Sequence, residues 1–356
     1  MSIQTQVERF APIAGGMGAV LAARALAKRA MQSDLTGQVA LVTGGSRGLG
    51  LAMARELVDV GCRVAICARD RAELDRARAD LESRGGEAIA IECDVGDKDD
   101  VGRMVAEVRE RLGPIDVLIA NAGVIQVGQV WATELEDFAS AMDTMFWGAL
   151  YPVWAVLPEM RTRRTGRIGI VSSIGGKVSV PRLLPYNAAK FAARGLAEGL
   201  RAELAGEGIR VTSIVPGLMR TGSHINATFS GDEQGREALY RLWAPLASMP
   251  LLTGSAEAAA GAYIGAVRRG DGEVTYPPIF GLLGRVHGVA PAATMWAMGI
   301  ASRLIAKSGD GTETVRGSRI DPKVDEGWWR VLTTLGRRAE DDLNQRPGSV
   351  SAPDPD

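Results

Sequence analysis

A tyrosine and a lysine stand four residues apart in the segment YNAAK, at positions 186 and 190. On an α-helix, residues at this spacing lie on the same face, about one turn apart. A free phenol has a pKa of about 10 and is a poor acid or base at neutral pH, but a neighbouring ammonium group lowers that pKa. The pair therefore indicates either general acid–base chemistry at Tyr186 or a surface helix without a chemical role.

A glycine-rich turn, TGGSRGLG (43–50), lies between a short apolar segment and a helical one. Small residues in such a turn let backbone N–H groups approach a pyrophosphate at the helix N-terminus. Many glycine-rich turns serve only packing. The position between a strand and a helix nevertheless favours nucleotide binding here.

The elements that would position these residues alternate between short β-branched strands and longer helices. Strands are predicted at 38–43, 63–68, 88–93, 115–121, 166–173, 209–216 and, at an edge, 273–276. Helices are predicted at 49–61, 70–85, 98–112, 134–161, 186–208, 233–247 and 255–269. This alternation predicts an α/β fold with a doubly wound, Rossmann-like parallel sheet of about seven strands and helices on both faces.

The same patterns divide the chain into four parts. We expect an N-terminal helical extension at 1–36 and the Rossmann-like domain at 37–275. A helical C-terminal extension follows at 276–340. The tail at 341–356 is rich in proline and serine, so we expect it to be disordered.

Composition excludes several classes of function. The chain has 41 basic and 42 acidic residues, a net charge of -1, and no basic run, which argues against a nucleic-acid partner. Its cysteines, Cys62, Cys67 and Cys93, form no CxxC pair, and only two histidines accompany them, so no metal site is predicted. We expect the cysteines to pack as small apolar residues in a cytoplasmic protein.

Two apolar stretches, 10–30 and 289–307, are each interrupted by an arginine and are too short to span a bilayer. The first also lacks the order of charges of a secretory signal. Amphipathic packing or docking helices are the favoured interpretation of both stretches. Peripheral membrane contact through either remains the alternative, so the protein is expected in the cytoplasm or associated with a membrane.

Together, the turn TGxxxGxG, the segment NAG (121–123), Ser173, the motif YxxxK and the segment PGLMRT (216–221) resemble the short-chain dehydrogenase/reductase family. The resemblance covers about residues 37–275. It implies that Tyr186 exchanges a proton with the substrate oxygen and that Lys190 holds the ribose hydroxyls and lowers the tyrosine's pKa. It also implies that Ser173 orients the substrate oxygen; the adjacent Ser172 is expected to face the opposite side of the strand.

The resemblance further implies a nicotinamide dinucleotide cofactor. The residues implied to contact it are Gly44, Ser46, Arg47, Gly48, Leu49, Gly50, Arg69, Asp94, Val95, Asn121, Ala122, Gly123, Tyr186, Lys190, Pro216, Gly217 and Thr221. The second strand ends in Ala68 and Arg69, where an NAD-linked enzyme would normally offer an acid to the ribose. Arg47 and Arg69 suit a 2′-phosphate, so NADP(H) is favoured over NAD(H).

One position departs from the family pattern, in which an asparagine precedes the fifth strand of the sheet. Aligning the motif NxxG places Met145 at that position. In the family, this residue's carbonyl helps to hold a water linked to the lysine, and its amide supports a local helix distortion. Methionine keeps only the carbonyl. A nucleotide-binding regulatory or scaffold protein without catalysis is therefore the alternative function.

The later part of the chain gives predictions of the substrate class and of the oligomeric state. We expect residues 218–231, here called the lid, to cover the nicotinamide, with Thr221 meeting its carboxamide. An apolar pocket for a lipophilic alcohol or ketone, or ordinary core packing, is predicted for Leu239, Tyr240, Leu242, Trp243, Leu246 and Met249. The segment with Trp296 and Met298 extends that pocket, binds a second subunit or contacts a membrane. The family resemblance implies a homo-oligomer formed through helices at 134–161 and 186–206.

Overall fold

Seven parallel strands form the central sheet of the computed structural model, which describes residues 32–250, 253–324 and 327–346. In chain order the strands of these ranges are β1 (Val39–Thr43), β2 (Arg63–Ala68), β3 (Ala88–Glu92), β4 (Ile115–Ala120), β5 (Gln126–Val127), β6 (Gly166–Val171), β7 (Ile209–Pro216), β8 (Met219–Arg220), β9 (Thr228–Ser230), β10 (Gly254–Ser255), β11 (Glu273–Tyr276) and β12 (Thr314–Arg316). The sheet order is β11-β7-β6-β4-β1-β2-β3. Because this order reverses between β1 and β4, their carboxyl ends border the crevice where such sheets bind ligands.

Helices cover both faces of this sheet, so the predicted fold class is confirmed. They are α1 (Gly48–Asp59), α2 (Arg71–Ser83), α3 (Lys98–Leu112), α4 (Leu135–Met142), α5 (Gly148–Arg163), α6 (Leu184–Glu203), α7 (Glu233–Leu246), α8 (Ala256–Arg269), α9 (Pro278–Val289), α10 (Pro291–Leu304), α11 (Gly317–Val324) and α12 (Gly327–Asp342). In β1, Ala40 and Val42 belong to the core cluster that includes α1 and α8, whereas Val39 and Leu41 belong to the one that includes α3 and α5. Burial on both faces explains why this strand is apolar at every position except its last.

The helix predicted at 134–161 is interrupted. α4 ends at Met142, a single π-helical turn spans Asp143–Trp147, and α5 begins at Gly148. A π-turn adds one residue to the helical hydrogen-bond ladder and shifts the faces on either side of it. The local distortion that the family's asparagine supports is therefore present here with methionine at position 145.

The C-terminal extension packs onto the rest of the chain: the described residues from Leu35 onward form one compact unit. β12 pairs antiparallel with β9 of the lid, and β9 pairs parallel with β5. The predicted N-terminal extension falls almost wholly on residues 1–31, which lie outside the described ranges, as does the apolar stretch 10–30.

Residues 341–346 differ from the disordered tail that we predicted. α12 continues to Asp342, Leu343 joins the core on the α1 side of the sheet, and both Leu343 and Asn344 have no exposed surface. A polar residue can be buried in this way when its groups are hydrogen-bonded, which composition alone does not reveal. Residues 347–356 lie outside the described part of the chain.

The three cysteines are buried, as predicted, and none of them forms a disulfide. The part of the chain that the structure describes contains no cluster of three or more histidine, cysteine or acidic side chains suited to a metal. Within the same part, no helix is both long and apolar enough to cross a bilayer. The stretch 289–307 instead contains α10, which pairs with α9.

Candidate active site

Tyr186 and Lys190 lie near the beginning of α6, and Ser173 follows the carboxyl end of β6. The Tyr186 hydroxyl is hydrogen-bonded to Ser173. Lys190 Nζ lies 5.8 Å from the centre of the Tyr186 ring and donates a hydrogen bond to the Val171 carbonyl at 2.8 Å. The three residues predicted to be catalytic thus meet at one end of β6.

The ionisation of this pair differs from the sequence prediction. Burial raises the pKa of Tyr186, and the hydrogen bond from Ser173 opposes that rise only in part. Burial also lowers the pKa of Lys190 to about 8. The predicted lowering of the Tyr186 pKa is therefore wrong for this arrangement, because burial disfavours the charged form of each group. Tyr186 is held as a neutral phenol, the form that donates a proton.

The two adjacent serines face different partners. Ser172 Oγ donates to the Lys190 carbonyl at 2.7 Å, inside α6. Ser173 Oγ accepts a hydrogen bond from the Gly175 amide at 3.0 Å and also bonds to Tyr186. The geometry therefore pairs Ser173, and not Ser172, with the phenol.

Asn187 is a positioning residue that sequence reasoning missed. It is buried, and its Nδ2 donates to Ser179 Oγ at 3.0 Å and to the Val180 carbonyl at 2.7 Å. These bonds hold the loop between β6 and α6 against the helix that carries Tyr186. Its place directly after the tyrosine was the signal available in the sequence.

The glycine turn brings β1 close to β4. A Cβ added to Gly50 would lie 2.0 Å from the Gly44 carbonyl oxygen, and one added to Gly44 would lie 2.8 Å from Ala122 Cα. Asn121 Nδ2 donates to the Thr43 and Gly44 carbonyls at 3.0 and 3.1 Å. Asn121 therefore fixes the turn through its side chain, as does the Thr43 hydroxyl, which accepts hydrogen bonds from the Asn121 and Ala122 amides.

An acid that sequence reasoning missed lies beside the turn. Glu73, in the first turn of α2, pairs with Arg47 at 2.7 Å and accepts a hydrogen bond from Ser46 Oγ at 3.0 Å. Arg69 is exposed, with its Nη1 4.0 Å from Asp94 Oδ2. Asp94 also accepts a hydrogen bond from the Gly96 amide. Both arginines predicted to bind a phosphate thus have an acidic neighbour.

Two further residues predicted to contact the cofactor take part in packing. Val95 is buried, and a Cβ on Gly148 would lie 2.6 Å from its Cγ2. Leu49 is partly buried and packs against the core on the α1 side of the sheet. If they contact a ligand, they would therefore do so through backbone atoms or through the part of the side chain that is not packed against the core.

The end of β7 approaches the glycine turn from across the crevice. Pro216 is the last residue of β7, and a Cβ on Gly217 would lie 2.1 Å from Phe280 Cδ2 of α9. Thr221 is buried, and its Cβ lies 4.0 Å from the position that a Cβ on Gly48 would take. The β7 end, the turn and the C-terminal extension are therefore in close contact.

Met145 reaches the site in the place predicted for it. It is 2% exposed, and a Cβ on Gly123 would lie 3.6 Å from its Sδ and 3.5 Å from Lys190 Nζ. The methionine sulfur and the lysine ammonium thus border the same small space at Gly123. An asparagine amide at position 145 would therefore lie near Lys190 Nζ.

Two of the residues predicted to line an apolar pocket lie in the core, and a third is partly buried against it. Leu239 and Tyr240 have no exposed surface, and the Tyr240 hydroxyl donates to Asp321 at 2.7 Å, so core packing is the correct interpretation of both. Trp243 is only partly buried and packs, like Tyr186, against the core cluster around Phe229. Other partly buried apolar residues against that cluster are Ile125, Val180, Ile305, Ala306 and Val315.

Two residues of the C-terminal tail contact the turn and were not predicted. Asn344 Nδ2 donates to the Ser46 and Glu73 carbonyls at 2.8 and 2.9 Å. Gln345 Nε2 donates to the Thr221 carbonyl at 2.7 Å. The contact between Asn344 and Ser46 joins residues almost three hundred positions apart, which no local sequence pattern could indicate.

The chain is similar to known proteins in sequence and in structure. A model of the short chain dehydrogenase family matches residues 38–229, more than half of the chain. An Anopheles gambiae protein described as a "Dehydrogenase/reductase SDR family protein 7-like" is 36% identical over 208 residues, 57% of this chain and 66% of that protein. A Bos taurus "Dehydrogenase/reductase SDR family member 4" is 37% identical over 193 residues, 54% of this chain and 69% of that protein.

Among solved structures, a short-chain dehydrogenase from Streptomyces avermitilis is similar, with a TM-score of 0.65 and 30% identity. That alignment covers 76% of this chain and 98% of the other. The aligned region accounts for slightly less than two thirds of the Anopheles relative's length.

Proposed function

Because the chain belongs to the short-chain dehydrogenase family, we propose that it is an NADP(H)-dependent oxidoreductase that interconverts a carbonyl group and a secondary alcohol. The observation that carries this proposal is the hydrogen bond between Tyr186 and Ser173, with Lys190 alongside. A neutral phenol held by a hydroxyl at a strand end is suited to protonate a substrate oxygen.

Each member of this group has a distinct part in the proposed reaction. Ser173 orients the substrate oxygen by a hydrogen bond, and Tyr186 donates a proton to it in the reducing direction or removes one in the oxidising direction. Lys190 contributes positive charge that favours the phenolate once the proton has left. The bound nicotinamide supplies or accepts the hydride.

The residues that would hold the dinucleotide are those of the glycine turn and the ends of β4 and β7. The turn fits this role, because Gly44 and Gly50 permit approaches that a Cβ would block, and α1 begins at Gly48 with its N-terminus at the turn. Lys190 and Gly123 would border the ribose on the nicotinamide side.

The preference for NADP(H) is supported by Arg47 and Arg69. A 2′-phosphate carries more negative charge than Glu73 and would compete with it for the Arg47 guanidinium. Arg69 is 65% exposed and is free to turn toward the same phosphate. NAD(H) is the alternative cofactor, and the ratio of the dissociation constants of NADPH and NADH distinguishes them.

Apolar residues from the C-terminal extension support a lipophilic substrate. Ile305, Ala306 and Val315 pack against the same core cluster as Tyr186 and Trp243, so the extension contributes to the apolar surroundings of the phenol. Such surroundings favour an apolar alcohol or ketone over a charged one.

Exposed apolar side chains support contact with a second copy through α5 and α6. Trp154 on α5 is 65% exposed and Phe191 on α6 is 41% exposed. These helices overlap the segments expected to form the subunit interface. Analytical ultracentrifugation would test this part of the proposal.

A different apolar surface, on α9 and α10, supports peripheral contact with an anionic membrane. Its exposed apolar residues are Ile279, Leu282, Val286, Val289, Met295, Trp296, Ile300 and Leu304. No acidic residue occurs between Glu273 and Asp310, whereas Arg285, Arg303 and Lys307 are all basic. The apolar side chains of such a surface suit the apolar interior of a bilayer, and the flanking cations suit anionic lipid headgroups.

The test of the proposed activity is the oxidation of NADPH in the presence of a panel of apolar ketones and aldehydes. Turnover of one of them that is lost in Tyr186→Phe supports the proposal. Binding of NADPH without turnover of any member would favour the alternative, a nucleotide-binding regulatory or scaffold protein.

A further inference from the structure

Three residues that directly follow α12 occupy the space at the glycine turn. The Gly48 amide donates to the Leu343 carbonyl at 2.9 Å, and Asn344 Nδ2 donates to the Ser46 carbonyl at 2.8 Å. Arg76 Nε of α2 in turn donates to Asn344 Oδ1 at 2.8 Å. Leu343, Asn344 and Gln345, here called the C-terminal plug, are buried to at least 95% of their surface.

The C-terminal plug also spans the crevice. Gln345 Nε2 donates to the Thr221 carbonyl, and a Cβ on Gly48 would lie 2.8 Å from the same nitrogen. Asn226 Nδ2 donates to Gln345 Oε1 at 2.8 Å. A single side chain therefore lies between the two edges, turn and β7 loop, that a dinucleotide would have to contact together.

The C-terminal plug and a dinucleotide need the same groups. A phosphate at the N-terminus of α1 requires free backbone N–H donors, and the Gly48 donor is taken by a carbonyl oxygen. The space that glycine leaves open at position 48 is likewise occupied, by the Gln345 side chain. Both occupants cannot be in the turn at once.

We propose that the C-terminal plug is an autoinhibitory segment that competes with the dinucleotide for the glycine turn and must leave before the cofactor binds. This inference rests on the proposed function, since it concerns the same cofactor. The apparent affinity for the dinucleotide is then the intrinsic affinity multiplied by the fraction of molecules with the turn open.

Two substitutions test the competition without changing the turn itself. Asn344→Ala removes the bonds to Ser46, Glu73 and Arg76 and places alanine at a residue whose φ is 55°, a conformation that alanine disfavours. Gln345→Ala removes the bond to Thr221 and is the milder variant, should Asn344→Ala fail to fold. Thr334→Ala, exposed on α12, the helix that precedes these residues, is the matched control.

Calorimetric titration with NADPH should give a dissociation constant about tenfold lower for each plug variant than for the wild type, and an unchanged one for Thr334→Ala. Amide hydrogen exchange of wild-type residues 343–346 should become faster when NADPH is added. Thermal unfolding curves verify that each variant is folded.

Other outcomes separate the two proposals. Equal NADPH affinity in the wild type and both folded variants, or slower exchange at 343–346 with NADPH, would overturn the autoinhibitory role and leave the proposed function intact. If hydrogen exchange shows an open plug in Asn344→Ala and this variant still binds neither NADPH nor NADH, the proposed function itself is wrong, and the competition with it.

Discussion

Lys190 Nζ lies 5.8 Å from the centre of the Tyr186 ring, and its hydrogen bond runs to the Val171 carbonyl instead of to the phenol. The lysine is therefore beside the phenol ring without a hydrogen bond to its hydroxyl. Its own pKa of about 8 means that the charge of Lys190 changes in the neutral to mildly alkaline range. For both groups, burial disfavours the charged form: it raises the pKa of Tyr186 and lowers that of Lys190.

Lys190→Met is predicted to stabilise the fold at neutral pH. Burial lowers the pKa of Lys190 from 10.5 to about 8, so the unfolded chain binds the proton more tightly than the folded protein. The folded wild type is therefore penalised below the folded pKa. Allowing for the lost hydrogen bond, the variant should gain about 1–2 kcal/mol in the free energy of unfolding.

This gain should disappear as the pH rises through the window between the two pKa values, because the wild-type lysine becomes neutral in both states. Urea unfolding at neutral and alkaline pH measures it, with the exposed Lys307→Met as the control. A difference between variant and wild type that stays constant across the pH series would contradict the assigned cause.

Tyr186→Phe should lower kcat by at least about 100-fold and change NADPH affinity far less, because the hydroxyl is the proton donor and only one of many groups expected to contact the cofactor. Steady-state kinetics and calorimetry measure the two effects. Tyr151→Phe, on α5 and stacked on Trp147, is the matched control and should retain full activity. Comparable losses in both variants would argue against a chemical role for Tyr186.

Met145→Asn addresses the departure from the family pattern. The methionine sulfur and Lys190 border the same space at Gly123, so an amide there would add a polar partner near the lysine. NADPH affinity should change little, and turnover should rise or its pH profile should shift. Met142→Asn, one turn earlier and only partly buried, is the control. An unchanged rate and pH profile would mean that the backbone carbonyl at 145 already suffices.

Glu73→Gln should tighten NADPH binding by about tenfold and leave NADH binding unaffected, because Arg47 loses its charged partner and becomes available to a 2′-phosphate. The ratio of the two dissociation constants is the measurement. Glu82→Gln, exposed at the end of α2, is the control. An equal effect on NADH and NADPH would assign Glu73 a structural part only.

Trp296→Ser should weaken binding to vesicles that contain anionic lipid by about tenfold, because a largely exposed aromatic side chain would no longer enter the interface. Co-sedimentation with vesicles of anionic and of purely zwitterionic lipid measures it. Trp154→Ser, on the α5 surface, is the control and should bind as the wild type does. Absence of wild-type binding to both vesicle types would refute the membrane contact.

The sheet was predictable because its strands are encoded locally. In β1, VALVT is buried at every position, and the flanking glycine turn marks where the strand ends. The interruption at Asp143–Trp147 was not predictable from the helical pattern, because glycine and proline are absent from that turn and tertiary packing around Met145 accompanies the shift in register.

The site was predicted in part. Ser173, Tyr186 and Lys190 are brought together because each stands near the end of a predicted element. Glu73, Asn344 and Gln345 were missed, since each acts through contact with a segment that is remote in the chain. The direction of the Tyr186 pKa was also missed, because burial is a property of the folded surroundings and not of the YNAAK motif.

The lid contains β9, which is the middle strand of its small sheet, paired with β5 on one side and β12 on the other. Displacing it requires breaking two ladders, one of them to the C-terminal extension. We therefore expect release of product, and not the transfer of hydride, to limit the steady-state rate, so that rapid mixing would show a burst of product in the first turnover.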